Sequence, residues 1–158
     1  MAQITLKPAV EAQLSQEVRE RLHRLERWRL KDAARRAQAQ HGWTDSRRRS
    51  VERAYRRFLA LIAIDPDTDF AMAQGPVDEL WHAHLIHTQD YEAMCKEVFG
   101  VMVHHCPTKP SGRNVPRPSY STTTLPALRR VFGVRAGSVW PAEDSMGGYA
   151  QCCKHVSL

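Results

Sequence analysis

Glycine and proline punctuation does most to constrain this fold, because it cuts a largely helix-periodic sequence into short segments. Residues 9–40 place Leu14, Val18, Leu22, Leu25 and Trp28 or Arg29 at spacings of three and four, in Ala- and Arg-rich filler that favours helix. His41-Gly42 ends that segment, glycine being the usual residue just past a helix. Thr44-Asp45-Ser46 offers caps for a second helix, whose stripe is Val51, Tyr55, Phe58 and Ile62, with Arg49, Arg53, Arg56 and Arg57 on other faces. The Asp and Pro content of residues 65–69 marks a turn. Gly75-Pro76 marks the next break, and Pro76 suits the first turn of a third helix running from about Val77 to Val98 and stopping at Gly100.

Val101-Met102-Val103 reads as a short extended piece, and Cys106 to Pro118 as a surface loop. A fourth helix follows residues 121–124, with Leu125, Leu128 and Phe132 inward, Pro126 in its first turn and Gly133 closing it. Trp140-Pro141 is expected to dock back on the bundle. With no repeat and no clear hairpin, the expected class is all-α, a single domain of about four helices with a long irregular loop. The expected divisions are a basic N-terminal helix over 1–43, a helical His-motif core over 44–141, and a flexible Cys-containing tail over 142–158.

Charge is unevenly spread over the 158 residues. Residues 1–57 carry fifteen Lys or Arg against seven Asp or Glu, a net +8, while the whole chain is +6 and the remainder therefore −2. Such a surface can meet a phosphate backbone or an acidic protein. It also suits a solvated helix face, and the interleaving at Arg19-Glu20-Arg21 and Glu26-Arg27 favours that reading. The longest apolar run, Phe58 to Ile64, is far short of the roughly 20 residues a bilayer needs, so no membrane partner is expected. The N-terminus lacks a signal peptide's apolar stretch, which places the chain in a cytoplasmic, reducing compartment. There Cys95, Cys106, Cys152 and Cys153 are expected as thiols or ligands rather than disulfides.

Five of the eight histidines fall at positions 82, 84, 87, 104 and 105, close to Asp78, Tyr91, Cys95 and Cys106. Imidazole, thiolate and carboxylate bind transition metals and move protons near neutral pH. On a continuous helix Trp81, His84, Thr88, Tyr91 and Cys95 form one stripe, and Asp78 and His82 form a second at i and i+4. His82 and His84 then face nearly opposite sides, and the His-Glu-x-x-His spacing of zinc proteases is absent.

Three uses of these residues are open. In one, His84 and Cys95 bind a metal with His104 or His105 brought back by the Gly100 turn, an N/S set that suits Zn(II). In another, Asp78 and His82 meet His105 as an O/N set more congenial to iron or copper, with Asp78 as ligand or orienting group. In the third, Trp81 and Tyr91 pack the core and the histidines are hydrogen-bonded structural groups. His87 is expected at the surface. A Cys95–His84 nucleophile pair is weakened by the expected burial of Cys95, where a thiol is inert. Cys152-Cys153 with His155 fits a loose tail carrying incidental thiols.

The series Tyr55 to Leu61, Pro66-Asp67, Val77 to Thr88, Tyr91, Cys95, Phe99-Gly100, His104-His105 and Pro107 resembles the bacterial glycine-rich domain-containing protein-like family. Downstream Tyr120, Leu125, Phe132-Gly133 and Trp140-Pro141 extend the resemblance to roughly residues 50–141. The chain departs from it in its tail, reduced here to Gly147-Gly148 and Cys152-Cys153, and in its basic N-terminal helix.

The combined expectation is a helical protein binding a divalent transition metal, Zn or Fe/Cu, through His82, His84, Cys95, His104, His105 and Asp78, or a small metalloenzyme whose reaction, substrate and catalytic residues the sequence does not name. The alternative is a non-enzymatic interaction module whose Arg-rich helices bind nucleic acid or an acidic protein.

Overall fold

Thr44 caps the longest helix, accepting a hydrogen bond from the Arg47 amide at 3.1 Å, and this helix organises the rest. The structure, a computed structural model, describes residues 4–106, 119–137, 139–142 and 148–152. In chain order the helices are α1 (Pro8–Glu11), α2 (Gln16–Arg27), α3 (Lys31–His41), α4 (Asp45–Ile64), α5 (Pro76–Ile86), α6 (Thr88–Met94) and α7 (Thr124–Phe132). A π-helical turn over Cys95–Phe99 follows α6. Strands β1 (Ala71–Met72), β2 (Val103–Cys106) and β3 (Gly148–Cys152) form an antiparallel sheet in the order β1-β3-β2.

The protein is mostly helical, as expected, but the described residues hold seven helices rather than four, and a small sheet. The single helix expected over 9–40 is three. The first break lies at Ser15, which caps α2 by accepting from the Val18 amide at 3.3 Å. The second has no Gly or Pro to cause it. Trp28 is extended (φ −63°, ψ 134°), and the buried Arg56 guanidinium donates to the carbonyls of Leu25 at 2.7 Å and Trp28 at 2.6 Å. Helix-end carbonyls lack intrahelical partners, and α4 supplies these two across the core. Arg56, expected off the apolar stripe, is therefore buried.

The break turns α3 so that Leu30, Ala33, Ala34 and Ala37 join a core shared with Tyr55, Phe58, Leu59 and Ile62 of α4 and Leu80 and Trp81 of α5. Residues from both sides of position 43 thus contribute to one hydrophobic cluster. Expectation and structure agree closely on α7: Leu125 and Leu128 are buried and Gly133 closes the helix in the left-handed region (φ 70°). Trp140 is buried and stacks on Tyr120, whose hydroxyl donates to the Pro141 carbonyl at 2.9 Å.

Of the strands only β2 was foreseen, as an extended piece over 101–103 that overlaps it at Val103; β1 and β3 were missed because each is short and pairs with distant sequence. β1 and β2 are joined only through β3, which comes from the segment expected as a loose tail. The Thr123 and Thr124 hydroxyls bond the amide and carbonyl of Ala71, tying β1 to α7. The expected loop at 107–118 and the Cys153 and His155 positions lie outside the described residues.

Candidate metal centre

Gly75 (φ 148°) and Pro76 start α5, which sets Asp78 in its first turn and His82 one turn later on the same face. The third member arrives through the left-handed turn at Gly100 (φ 73°), which reverses the chain into β2. Antiparallel pairing with β3 matches His105 to Ala150, and the Tyr91 hydroxyl donates to the Val103 carbonyl at 2.7 Å, so β2 is held at two points. Successive strand residues face opposite sides. His105 therefore turns inward, with its side chain 9% exposed, and His104 turns out to solvent.

Asp78, His82 and His105 converge. His105 Nε2 lies 3.0 Å from Asp78 Oδ1 and 3.0 Å from His82 Nε2, and His82 Nε2 lies 3.8 Å from Asp78 Oδ1. These three donor atoms form a group that could hold a metal ion. A triangle with those sides has a circumradius of about 1.9 Å, so one point can sit about 2.0–2.1 Å from all three donors, the length of ordinary metal–imidazole and metal–carboxylate bonds. One N–H on His105 Nε2 cannot point squarely at both neighbours, whereas a cation between the three lone pairs satisfies all of them.

Charge balance points the same way. The Asp78 side chain is 7% exposed, and among the described residues its ion-pair partners are His82 and His105 alone, with no Lys or Arg. A buried carboxylate needs a counter-charge. Trp81 closes the inner side, its ring 4.3 Å from that of His105, while the His82 side chain is 52% exposed and leaves the outer side open.

The other sequence candidates go elsewhere. His84 is fully buried, with Nδ1 3.0 Å from the Tyr55 hydroxyl and Nε2 3.0 Å from Asp90 Oδ2. Both nitrogens are committed, so no lone pair remains for an ion. Desolvation by burial lowers the His84 pKa, with the hydrogen bond and charge of Asp90 opposing. Cys95 is buried in the π-helical turn, away from the group, and His104 is on the wrong side of β2. The N/S set built on His84 and Cys95 with His104 or His105 is not assembled, and the O/N set of Asp78, His82 and His105 is brought together.

The Tyr55–His84–Asp90 chain was not anticipated. Asp90 lies six residues after His84, a spacing no continuous helix puts on one face. It becomes a partner because the helix expected over 77–98 breaks at His87 (φ −80°, ψ 62°). The same break leaves Thr88 exposed at the start of α6, outside the stripe, and His87 half-buried rather than on the surface.

Many N-terminal cations are used within the fold. Arg19 bonds the carbonyls of Glu11 and Leu14, Arg21 pairs with Glu17, Arg48 with Asp45 and Glu52, and Arg57 lies over the Phe132 ring. Arg35, Arg36, Arg49 and Arg53 are exposed. Among the described residues no helix is long and apolar enough to cross a membrane.

The family model described as UCP032817-like matches residues 18–131, most of the chain, and the protein belongs to that family. This overturns the resemblance to the glycine-rich domain-containing family, most of whose motifs lie within the same span. No curated protein and no solved structure matches the chain.

Proposed function

We propose that this member of the UCP032817-like family binds one divalent first-row transition metal through Asp78, His82 and His105 and keeps the remaining coordination positions open for an exogenous ligand. The observation that carries this is the 3.0, 3.0 and 3.8 Å triangle of donor atoms around a common point.

The edges also bear on the ion. With bonds near 2.1 Å, neighbouring donors are about 3.0 Å apart in an octahedron and about 3.4 Å apart in a tetrahedron. Two edges have the octahedral value, and the half-exposed His82 can swing to close the third. Two imidazoles and one carboxylate on one face, with open positions opposite, is the set that iron(II) takes in non-haem oxygen-using sites. Zinc(II) with three protein ligands and a water is the competitor. The edges lie between the two geometries, so it is the donor set of two imidazoles and one carboxylate that favours iron(II), and open positions permit chemistry on a bound small molecule.

The test is metal content and Co(II) spectroscopy. Purified protein should hold close to one equivalent of Fe(II), and Co(II) should give the weak, pale absorption of a six-coordinate ion. Asp78→Asn and His105→Ala should each lose the metal. An intense blue tetrahedral Co(II) spectrum would move the reading to zinc. Metal uptake unchanged in both variants would remove it.

A further inference from the structure

We propose that Tyr55 is a redox-active tyrosine, wired to the metal group by buried aromatic rings and supplied with its own proton acceptor, His84; the proposal rests on the iron reading above. The His105 and Trp81 rings are 4.3 Å apart. The Trp81 indole N–H donates to the Tyr91 hydroxyl at 3.1 Å. The Tyr91 ring meets the His84 ring edge-on at 5.0 Å, and His84 Nδ1 accepts from the Tyr55 hydroxyl at 3.0 Å. Every link is in van der Waals or hydrogen-bond contact. Trp81, Tyr91, His84 and Tyr55 are each no more than 1% exposed, so the path is shielded from water.

Contact among aromatic rings is ordinary core packing; the Tyr55 end is not. A phenol that loses an electron becomes so acidic that it must lose its proton as well, so a buried tyrosine without a base is hard to oxidise. Tyr55 faces an imidazole whose other nitrogen lies 3.0 Å from Asp90 Oδ2, and the Asp90 side chain is 44% exposed. The proton from Tyr55 moves to His84 Nδ1, and the positive charge formed on His84 sits against a carboxylate that opens to solvent. Tyr91, by contrast, donates its hydroxyl to the Val103 carbonyl, a weak base, and serves as a stepping stone rather than the end point.

With a peroxide as oxidant the step balances. The O–O bond breaks and accepts two electrons, one from iron(II) to give iron(III) and one from Tyr55 through Trp81 and Tyr91. Two protons from solvent complete two waters. The Tyr55 O–H bond breaks, leaving a neutral tyrosyl radical and a protonated His84.

The experiment is freeze-quench electron paramagnetic resonance on the full chain, loaded with iron(II) and mixed with hydrogen peroxide. Iron content is measured on the same samples. A tyrosyl signal that narrows with ring-deuterated tyrosine is expected in the wild type. It should be lost in Tyr55→Phe, which removes one hydroxyl, and lost or delayed in Trp81→Phe. Asp90→Asn, at the surface, should shorten its lifetime. A signal undiminished in Tyr55→Phe overturns the proposal, as does no radical in protein that binds iron. Protein that takes up no iron overturns the metal reading and this one together.

Discussion

Asp78→Asn separates the roles of the Asp78 carboxylate in folding and in metal binding. The substitution keeps an oxygen able to accept from His105 and removes a buried negative charge. The metal-free fold should change by less than about 1.5 kcal/mol, since losing an imperfectly compensated buried charge offsets part of the lost hydrogen bond. The metal-bound fold should change far more. An ion that binds only the native state adds about 2.7 kcal/mol at 100 times its dissociation constant. At roughly 2–4 °C per kcal/mol for a chain of this size, iron(II) should raise the wild-type Tm by about 5–11 °C. The variant lacks one of three protein ligands and should show at most about 2 °C at the same concentration, which corresponds to less than 1 kcal/mol. The assay is anaerobic thermal unfolding followed by circular dichroism, with and without Fe(II). Equal metal-induced shifts in the two proteins, or none in the wild type, would refute the reasoning that Asp78 is a ligand.

Arg56→Ala should cost about 2–4 kcal/mol in urea unfolding, because it removes the side-chain donor from the Trp28 carbonyl, leaves the Leu25 carbonyl with the Trp28 amide alone and leaves Glu52 with Arg48 alone; a cost below 1 kcal/mol would mean that Arg56 does not hold the α2–α3 break. Gly100→Ala meets nothing within 4 Å, so only its left-handed backbone (φ 73°) opposes it; stability should fall by about 1 kcal/mol, and a loss above 3 would point to an unrecognised contact. Burial lowers the pKa of His84, so the unfolded chain takes up that proton first: stability is full above pH 6.5 and falls as pH drops below it, a slope to be read from unfolding free energies between pH 7 and 5. Burial pushes the Tyr55 phenol well above its usual value of 10, so its phenolate absorption should appear only as the protein unfolds in alkali; ultraviolet titration against Tyr55→Phe checks this, and ionisation of Tyr55 near pH 10 in folded protein would contradict its burial.

Sequence alone determined the mostly helical character and those helix ends that carry a local signal. Thr44, Gly42, Pro76, Gly100 and Gly133 act through local backbone geometry, which needs no distant partner, so their effects were legible. The opposition of His82 and His84 was legible too, because a helix advances about 100° per residue wherever it lies. Tertiary structure decided what joined to what. No residue near Trp28 signals a break; the signal is a guanidinium 28 residues away in α4. The sheet depends on β3 inserting between β1 and β2 from the far end of the chain, a pairing paid in loop entropy that local propensity does not record. The choice between His104 and His105 followed from that pairing, since a shift of one residue turns a strand's side chains to the other face. Which histidines meet Asp78, and which one instead bonds Tyr55 and Asp90, was set by packing between segments and not by spacing along any one of them.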